Sequence, residues 1–136
     1  MVSSIFNLPF PAILKKMFWD FNFLQISAIL ICTISLIWFA ITLNTFGKSF
    51  RVGIDVNTTN RLITNGTFSI SRNPIYLAFI AFFMGFFLMY PNITSSALLL
   101  FLIAVVHRQI LQEEKFLENH YGDEYEEYCK KVRRYI

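Results

Sequence analysis

The sequence predicts an all-α integral membrane protein of three transmembrane helices, or four if its N-terminal segment also crosses. Two of these form a short helical hairpin, and a cytosolic amphipathic helix closes the chain. Three observations carry this. Of 136 residues, 55% are hydrophobic and 15% charged, against about 25% charged in a soluble domain, and mean hydropathy is +0.50. Phe23 to Leu43 is an uncharged apolar run of 21 residues. Two further apolar runs, Ile75 to Tyr90 and Ile93 to Val106, flank a Pro91-Asn92 turn.

Taken in order, residues 1–22 hold Pro9, Pro11, Lys15, Lys16 and Asp20, with a weak apolar stretch from Ile5 to Leu14. They lack the order of a cleavable signal peptide, and none is expected. Residues 23–43 are the clearest span: at about 1.5 Å per residue they measure about 31 Å, one hydrocarbon thickness. Trp38 either anchors this helix at an interface or packs inside. Residues 44–74 form a polar connector containing Gly47, Gly53 and Gly66. Within it, Leu62, Ile63, Phe68 and Ile70 are expected to dip into the interface. Residues 75–106 form the hairpin, read as two ordinary short spans in preference to a re-entrant loop. Gly85 is expected to mark a close helix–helix contact.

Residues 107–136 form a cap. The second hairpin helix is expected to run on to about His120 and stop at Tyr121-Gly122, where glycine suits the positive-φ cap. A last amphipathic helix is expected from Glu124 to Ile136, its Tyr125, Tyr128, Val132 and Tyr135 facing the headgroup zone. Ten basic residues lie in the connector and cap, and only Lys15 and Lys16 oppose them. The positive-inside rule therefore places connector and C-terminus in the cytosol. That topology brings Arg72-Asn73 and Glu113-Glu114 to one membrane face, at opposite ends of the hairpin.

The net charge of +3 speaks to orientation and anionic lipid headgroups, so membrane lipids are expected partners and nucleic acid is not. Cys32 and Cys129 have no metal-ligand spacing, and neither a disulfide nor a metal site is expected. The chain contains no P-loop, no dinucleotide-binding glycine pattern, no H-E-x-x-H and no nucleophile elbow.

Ser71-Arg72-Asn73-Pro74-Ile75-Tyr76 carries the strongest chemical signal. Asn73 suits an N-cap and Pro74 the first helical position. The free N–H groups there, with Arg72 beside them, either cap a plain helix or receive a carboxylate or phosphate. Glu113-Glu114 is either a solvated face or a site for a cationic or diol-bearing ligand. Arg51 is either a positive-inside flank or an anion contact. His107 is read as an interfacial histidine, not a catalyst.

The ordered set Leu43 to Arg51 (L-x-x-F-G-K-S-F-R), Leu62 to Tyr76 (L-I-T-N-G-T-F-S-I-S-R-N-P-I-Y), Glu113-Glu114-Lys115-Phe116-Leu117, and Tyr121 to Ile136 with its V-R-R-Y-I ending resembles the isoprenylcysteine carboxyl methyltransferase and phospholipid methyltransferase superfamily. The resemblance covers about two-thirds of the chain. It implies a membrane enzyme dependent on S-adenosylmethionine and acting on a lipophilic or prenylated acceptor. Isoprenylcysteine carboxyl O-methylation is the nearest activity; a phospholipid amine acceptor and a non-catalytic scaffold are the alternatives. It implies cofactor-binding roles for Gly66, Phe68, Arg72, Asn73, Pro74, Tyr76, Glu113 and Glu114, with Glu114 a direct contact. Arg51, Arg72 and Glu114 are the residues it implies for catalysis. Relatives carry more hydrophobic segments before the shared region. A fragment, a minimal form or a homo-oligomer that completes the substrate pocket are the open alternatives.

Overall fold

Among the described residues the chain forms four helices, α1 (Asn22–Phe46), α2 (Pro74–Met89), α3 (Ile93–Tyr121) and α4 (Asp123–Lys131), and one 3-10 turn at Gly66–Ser69. The computed structural model describes residues 22–46 and 62–136, and among these there is no strand. Expectations placed on residues 1–21 and 47–61, including Arg51, lie outside the described residues.

α1 and α3 are long and apolar enough to cross a membrane; α2, with 16 residues, is an apolar helix below that length. α1 contains no charge, yet carries several hydroxyls. Ser27, Thr33, Ser35, Thr42 and Thr45 each donate to the carbonyl four residues earlier, at 2.7–3.0 Å. Each hydroxyl is thereby satisfied within its own helix, as an apolar environment demands. The outward face shows Phe23, Ile26, Leu30, Ile34 and Ile37, all exposed.

α1 and α2 pack along their length. The expected close contact at Gly85 is present: a Cβ there would lie 2.6 Å from Cys32 Sγ and 3.0 Å from the Ala28 carbonyl oxygen. Phe39 and Phe79 meet one level along, ring centroids 5.3 Å apart. At the α2 start, Trp38 Nε1 donates to the Pro74 carbonyl at 3.1 Å. Trp38, half-buried, thereby ties α1 to the corner that opens α2.

The hairpin turn is held by a reciprocal cap. Asn92 accepts from the Ser95 N–H at 2.9 Å while Ser95 Oγ accepts from the Asn92 N–H at 3.1 Å, so two orphan donors are paired. α3 then runs 29 residues without a break. At about 1.5 Å per residue this is about 43 Å, longer than a hydrocarbon layer of about 30 Å, so its polar third projects beyond the apolar part. Gly122, at φ 51°, ends the helix as expected and lets α4 fold back.

Two expectations for the cap are corrected. α4 ends at Lys131, and Val132 is already extended (φ −124°, ψ 133°). The tail leaves the helix because its carbonyls pair with the α2 corner: Arg72 N–H donates to the Arg133 carbonyl at 3.0 Å. The expected lipid-facing tyrosine face also turns inward, against protein. Tyr125, Tyr128 and Val132 are buried in a cluster with Leu62, Leu117, Tyr121 and Cys129. Burying two tyrosine rings against protein removes more apolar area from water than an interface would. Tyr128 keeps a polar partner by donating to the Phe68 carbonyl at 2.6 Å, and burial pushes its hydroxyl pKa up to about 12. Of the connector residues expected at the interface, Leu62 joins this cluster and Ile70 is exposed.

Gly66 opens the 3-10 turn at φ 59°, and a Cβ there would fall 2.7 Å from Thr45 Cγ2. Both the left-handed backbone and the close approach require glycine. Gly66→Ala is expected to cost about 1–2 kcal/mol, read as a lowered thermal midpoint in detergent. An unchanged midpoint refutes the contact with α1.

Candidate functional site

The site begins at the corner before α2. Ser71 is fully buried; its Oγ accepts from the Asn73 N–H at 3.1 Å and donates to the Arg134 carbonyl at 3.3 Å. Asn73 stands at the N-cap position with Pro74 next, as expected, but its side chain makes no capping bond. The amide instead donates to Glu114 Oε1 and to the Arg134 carbonyl, each at 3.2 Å. Asn73 is thus a bridge between α2, α3 and the tail.

Glu114 arrives from α3, 8% exposed. Its Oε2 accepts from Arg134 Nε at 2.9 Å and faces Arg134 Nη2 at 2.8 Å. Its Oε1 has Arg72 Nη2 at 3.6 Å besides the Asn73 amide. One buried carboxylate thus holds two guanidiniums and one amide, the pairing a buried charge requires. The hydrogen bond to Glu114 holds the Arg134 guanidinium above its ordinary pKa. Arg72 Nη1 donates to Cys129 Sγ at 2.5 Å.

Glu113, though adjacent, does other work. It accepts from the Tyr76 hydroxyl at 2.5 Å and from Gln109 Nε2 at 3.1 Å. Consecutive helical residues point about 100° apart, so the twin acids diverge and serve different partners. Tyr76 and Glu113 clamp α2 to α3 beside the site.

Between the corner, α4 and the tail lies a cleft of about 370 Å³ lined by Arg72, Glu114, Glu118, Tyr125, Glu126, Cys129, Lys130 and Arg134. Its walls carry three acids and three bases. Two buried polar atoms at this cleft lack a hydrogen-bond partner among the described residues: Arg72 Nε and the Tyr125 hydroxyl. Burial, then the charge of Glu114, pushes the Tyr125 hydroxyl pKa upward. Unsatisfied buried polar groups are rare, and each calls for a bond to something outside the protein or for a functional role.

A second, apolar cavity of about 160 Å³, lined by Phe83, Phe86, Ser95, Leu98, Leu99, Phe101 and Leu102, lies towards the hairpin turn. From Pro74 to Phe86 is about 18 Å along α2, so this cavity is separate from the polar site.

Of the residues expected to bind, Arg72 and Glu114 line the cleft and Asn73 braces it. Pro74 is wholly buried and shapes the corner without facing the cleft. Gly66 and Phe68 sit in the 3-10 turn, where Phe68 contributes its carbonyl to Tyr128. Tyr76 and Glu113 pair with each other outside the cleft wall. Arg134, Tyr125 and Cys129 line the cleft without any motif in the sequence marking them. The V-R-R-Y-I ending is the one signal near Arg134, and helical spacing across it gives no sign that the chain turns extended at Val132.

His107 Nδ1 and the Tyr135 hydroxyl share a hydrogen bond of 2.7 Å, their rings stacked. His107 therefore pins the tail to α3 one residue beyond Arg134.

Comparison with known proteins adds an independent line. A family model described as phospholipid methyltransferase matches residues 23–124. A protein of Oryza sativa subsp. indica named "Probable protein-S-isoprenylcysteine O-methyltransferase" is 35% identical over 91 residues, covering 65% of this chain and 48% of the rice protein. The protein of the same name from subsp. japonica matches to the same extent. The "Protein-S-isoprenylcysteine O-methyltransferase" of Schizosaccharomyces pombe is 34% identical over 89 residues, 63% of this chain and 38% of the yeast protein. The aligned part spans about half the length of the rice relatives and less of the yeast one. No solved structure matches.

Proposed function

The chain belongs to the phospholipid methyltransferase family, and we propose that it is an integral membrane methyltransferase that uses S-adenosylmethionine to methylate a lipophilic acceptor, most nearly the carboxylate of a prenylated cysteine. α1 and α3 cross the bilayer and the shorter α2 crosses between them where the layer thins, and the connector, α4 and the tail lie on the cytosolic side, where ten of twelve basic residues fall. The observation that carries the reading is the convergence of Arg72 and Glu114, braced by Asn73, on one polar cleft at the end of apolar helices.

The residues present fit the cofactor. It carries a carboxylate, an ammonium, a sulfonium and a ribose; the cleft wall alternates acids with guanidinium and ammonium groups and holds two buried polar atoms without a partner among the described residues. Its volume of about 370 Å³ lies within the usual range for small-molecule sites. When bound, the cofactor supplies an electrophilic methyl group on a sulfonium. The chain's own part is to bind, orient and exclude water. Arg72 brings positive charge to the cleft, Asn73 locks Glu114 against α2, and the Tyr76–Glu113 bond holds α2 and α3 in register. A carboxylate acceptor is already a nucleophile at neutral pH, so positioning carries the chemistry, and good positioning is worth about 7–11 kcal/mol. Arg51, outside the described residues, belongs to this reading as an acceptor contact near the membrane surface.

The family model's description favours one second reading, in which the acceptor is a phospholipid amine. Such an amine must be neutral before attack. Radiolabelled methyl transfer by the purified chain in lipid nanodiscs separates the readings. A farnesylated cysteine acceptor should gain base-labile label, as a methyl ester does. Base-stable label in extracted lipid selects the phospholipid reading, and no transfer to either refutes the enzyme. Arg72→Ala is expected to weaken cofactor binding by about 10- to 100-fold, the scale of one charge-assisted hydrogen bond, measured by calorimetry in detergent.

A further inference from the structure

We propose that Arg134, on the C-terminal tail, receives the carboxylate of the bound cofactor, and that Glu114 aims this guanidinium and does not itself bind the cofactor. The inference rests on the methyltransferase reading and assigns the polar end of its cofactor site.

Glu114 has little left to offer a ligand. Two nitrogens of Arg134 and the Asn73 amide occupy its oxygens, with Arg72 close by. Two guanidiniums against one carboxylate leave the inner cleft net positive, which repels an ammonium and attracts an anion. Arg72 is the inner cation, its side chain 14% exposed, with Nη1 on Cys129. Arg134 is the outer one, its side chain 37% exposed and lining the cleft. It spends Nε and Nη2 on Glu114. Nη1 takes no part in the bonds to Glu114, and a guanidinium carries five N–H donors in a rigid plane. Nη1 and the second hydrogen of Nη2 form the edge not spent on Glu114, and its fork matches a carboxylate.

The tail holds this edge still. The Arg133 carbonyl accepts from the Arg72 N–H at 3.0 Å. The Arg134 carbonyl accepts from Asn73 at 3.2 Å and from Ser71 at 3.3 Å. Tyr135 is hydrogen-bonded to His107 at 2.7 Å. Arg134 is therefore anchored before, at and after its own position, and such preorganisation lowers the entropy cost of binding.

The test compares two ligands that differ only in the carboxylate: S-adenosylmethionine and its decarboxylated form. Affinities are measured by calorimetry on the full chain in detergent. Wild type is expected to prefer the carboxylate-bearing ligand by about 10- to 100-fold. In Arg134→Gln that preference should collapse to within about threefold, while affinity for the decarboxylated ligand is retained, which also reports an intact cleft. Arg134→Lys keeps the charge and loses the fork, and should fall between. Equal loss for both ligands in both variants means that Arg134 only anchors the tail, and overturns the proposal. So does a preference that survives Arg134→Gln. A wild-type chain that binds neither ligand removes the methyltransferase reading, and this assignment falls with it.

Discussion

Glu114→Ala is expected to destabilise the protein by about 3 kcal/mol, the low end of the range for breaking a buried ion pair. The substitution strips two guanidiniums of their shared counter-ion and takes the Asn73 amide's acceptor. The low end applies because the Arg134 side chain is 37% exposed and water compensates part of its loss. Glu113→Ala, one residue away, is expected to cost only about 1 kcal/mol, since its partners Tyr76 and Gln109 are neutral. The contrast is the test: thermal midpoints of the two variants in the same detergent should differ by several degrees. The double variant Glu114→Gln, Arg134→Gln should lose less than the sum of its single changes, because removing both partners leaves fewer charges stranded. Equal midpoints for the two acid variants would refute the buried network.

Gly85→Leu is expected to be the most damaging single change within the apolar helices. Even the Cβ would fall 2.6 Å from Cys32 Sγ and 3.0 Å from the Ala28 carbonyl oxygen, and leucine adds three more carbons. Overpacking typically costs about 1–3 kcal/mol. Gly85→Ala isolates the first contact. Replacing a mid-helix glycine by alanine otherwise gains up to about 1 kcal/mol of helix propensity, so a net loss measures the clash after that gain. Cys32→Ala should restore part of it by removing the sulfur. It should not restore all, because the Ala28 carbonyl is backbone and cannot withdraw. The effect should reach the polar site, since Trp38 joins α1 to the Pro74 carbonyl; a shifted α1 displaces the corner. Increased stability in Gly85→Ala would contradict the packing of α1 on α2.

The helices were legible because their signals are local. An uncharged run of hydrocarbon length, a Pro-Asn turn and a glycine stop each act over a few residues. Asn73, Pro74, Arg72 and Glu114 were legible as a set because a hairpin returns its ends to one side. The division of labour between Glu113 and Glu114 was not, because side-chain direction on α3 depends on how α3 is rotated against α2. The burial of the cap is illegible for a related reason. Tyr125, Tyr128, Val132 and Tyr135 fit helical spacing equally well whether they face lipid headgroups or protein.

Apolar run length and chain punctuation set where this protein's helices start, stop and fold back, since those properties depend on neighbours in sequence. Tertiary structure alone decided that the tail leaves its helix after Lys131 and brings Arg134 to Glu114. The extended backbone there is held by carbonyl bonds to Ser71, Arg72 and Asn73, about 60 residues away in sequence. Hydrogen bonds of that separation form only once the hairpin has closed, and no pattern within the tail itself encodes them.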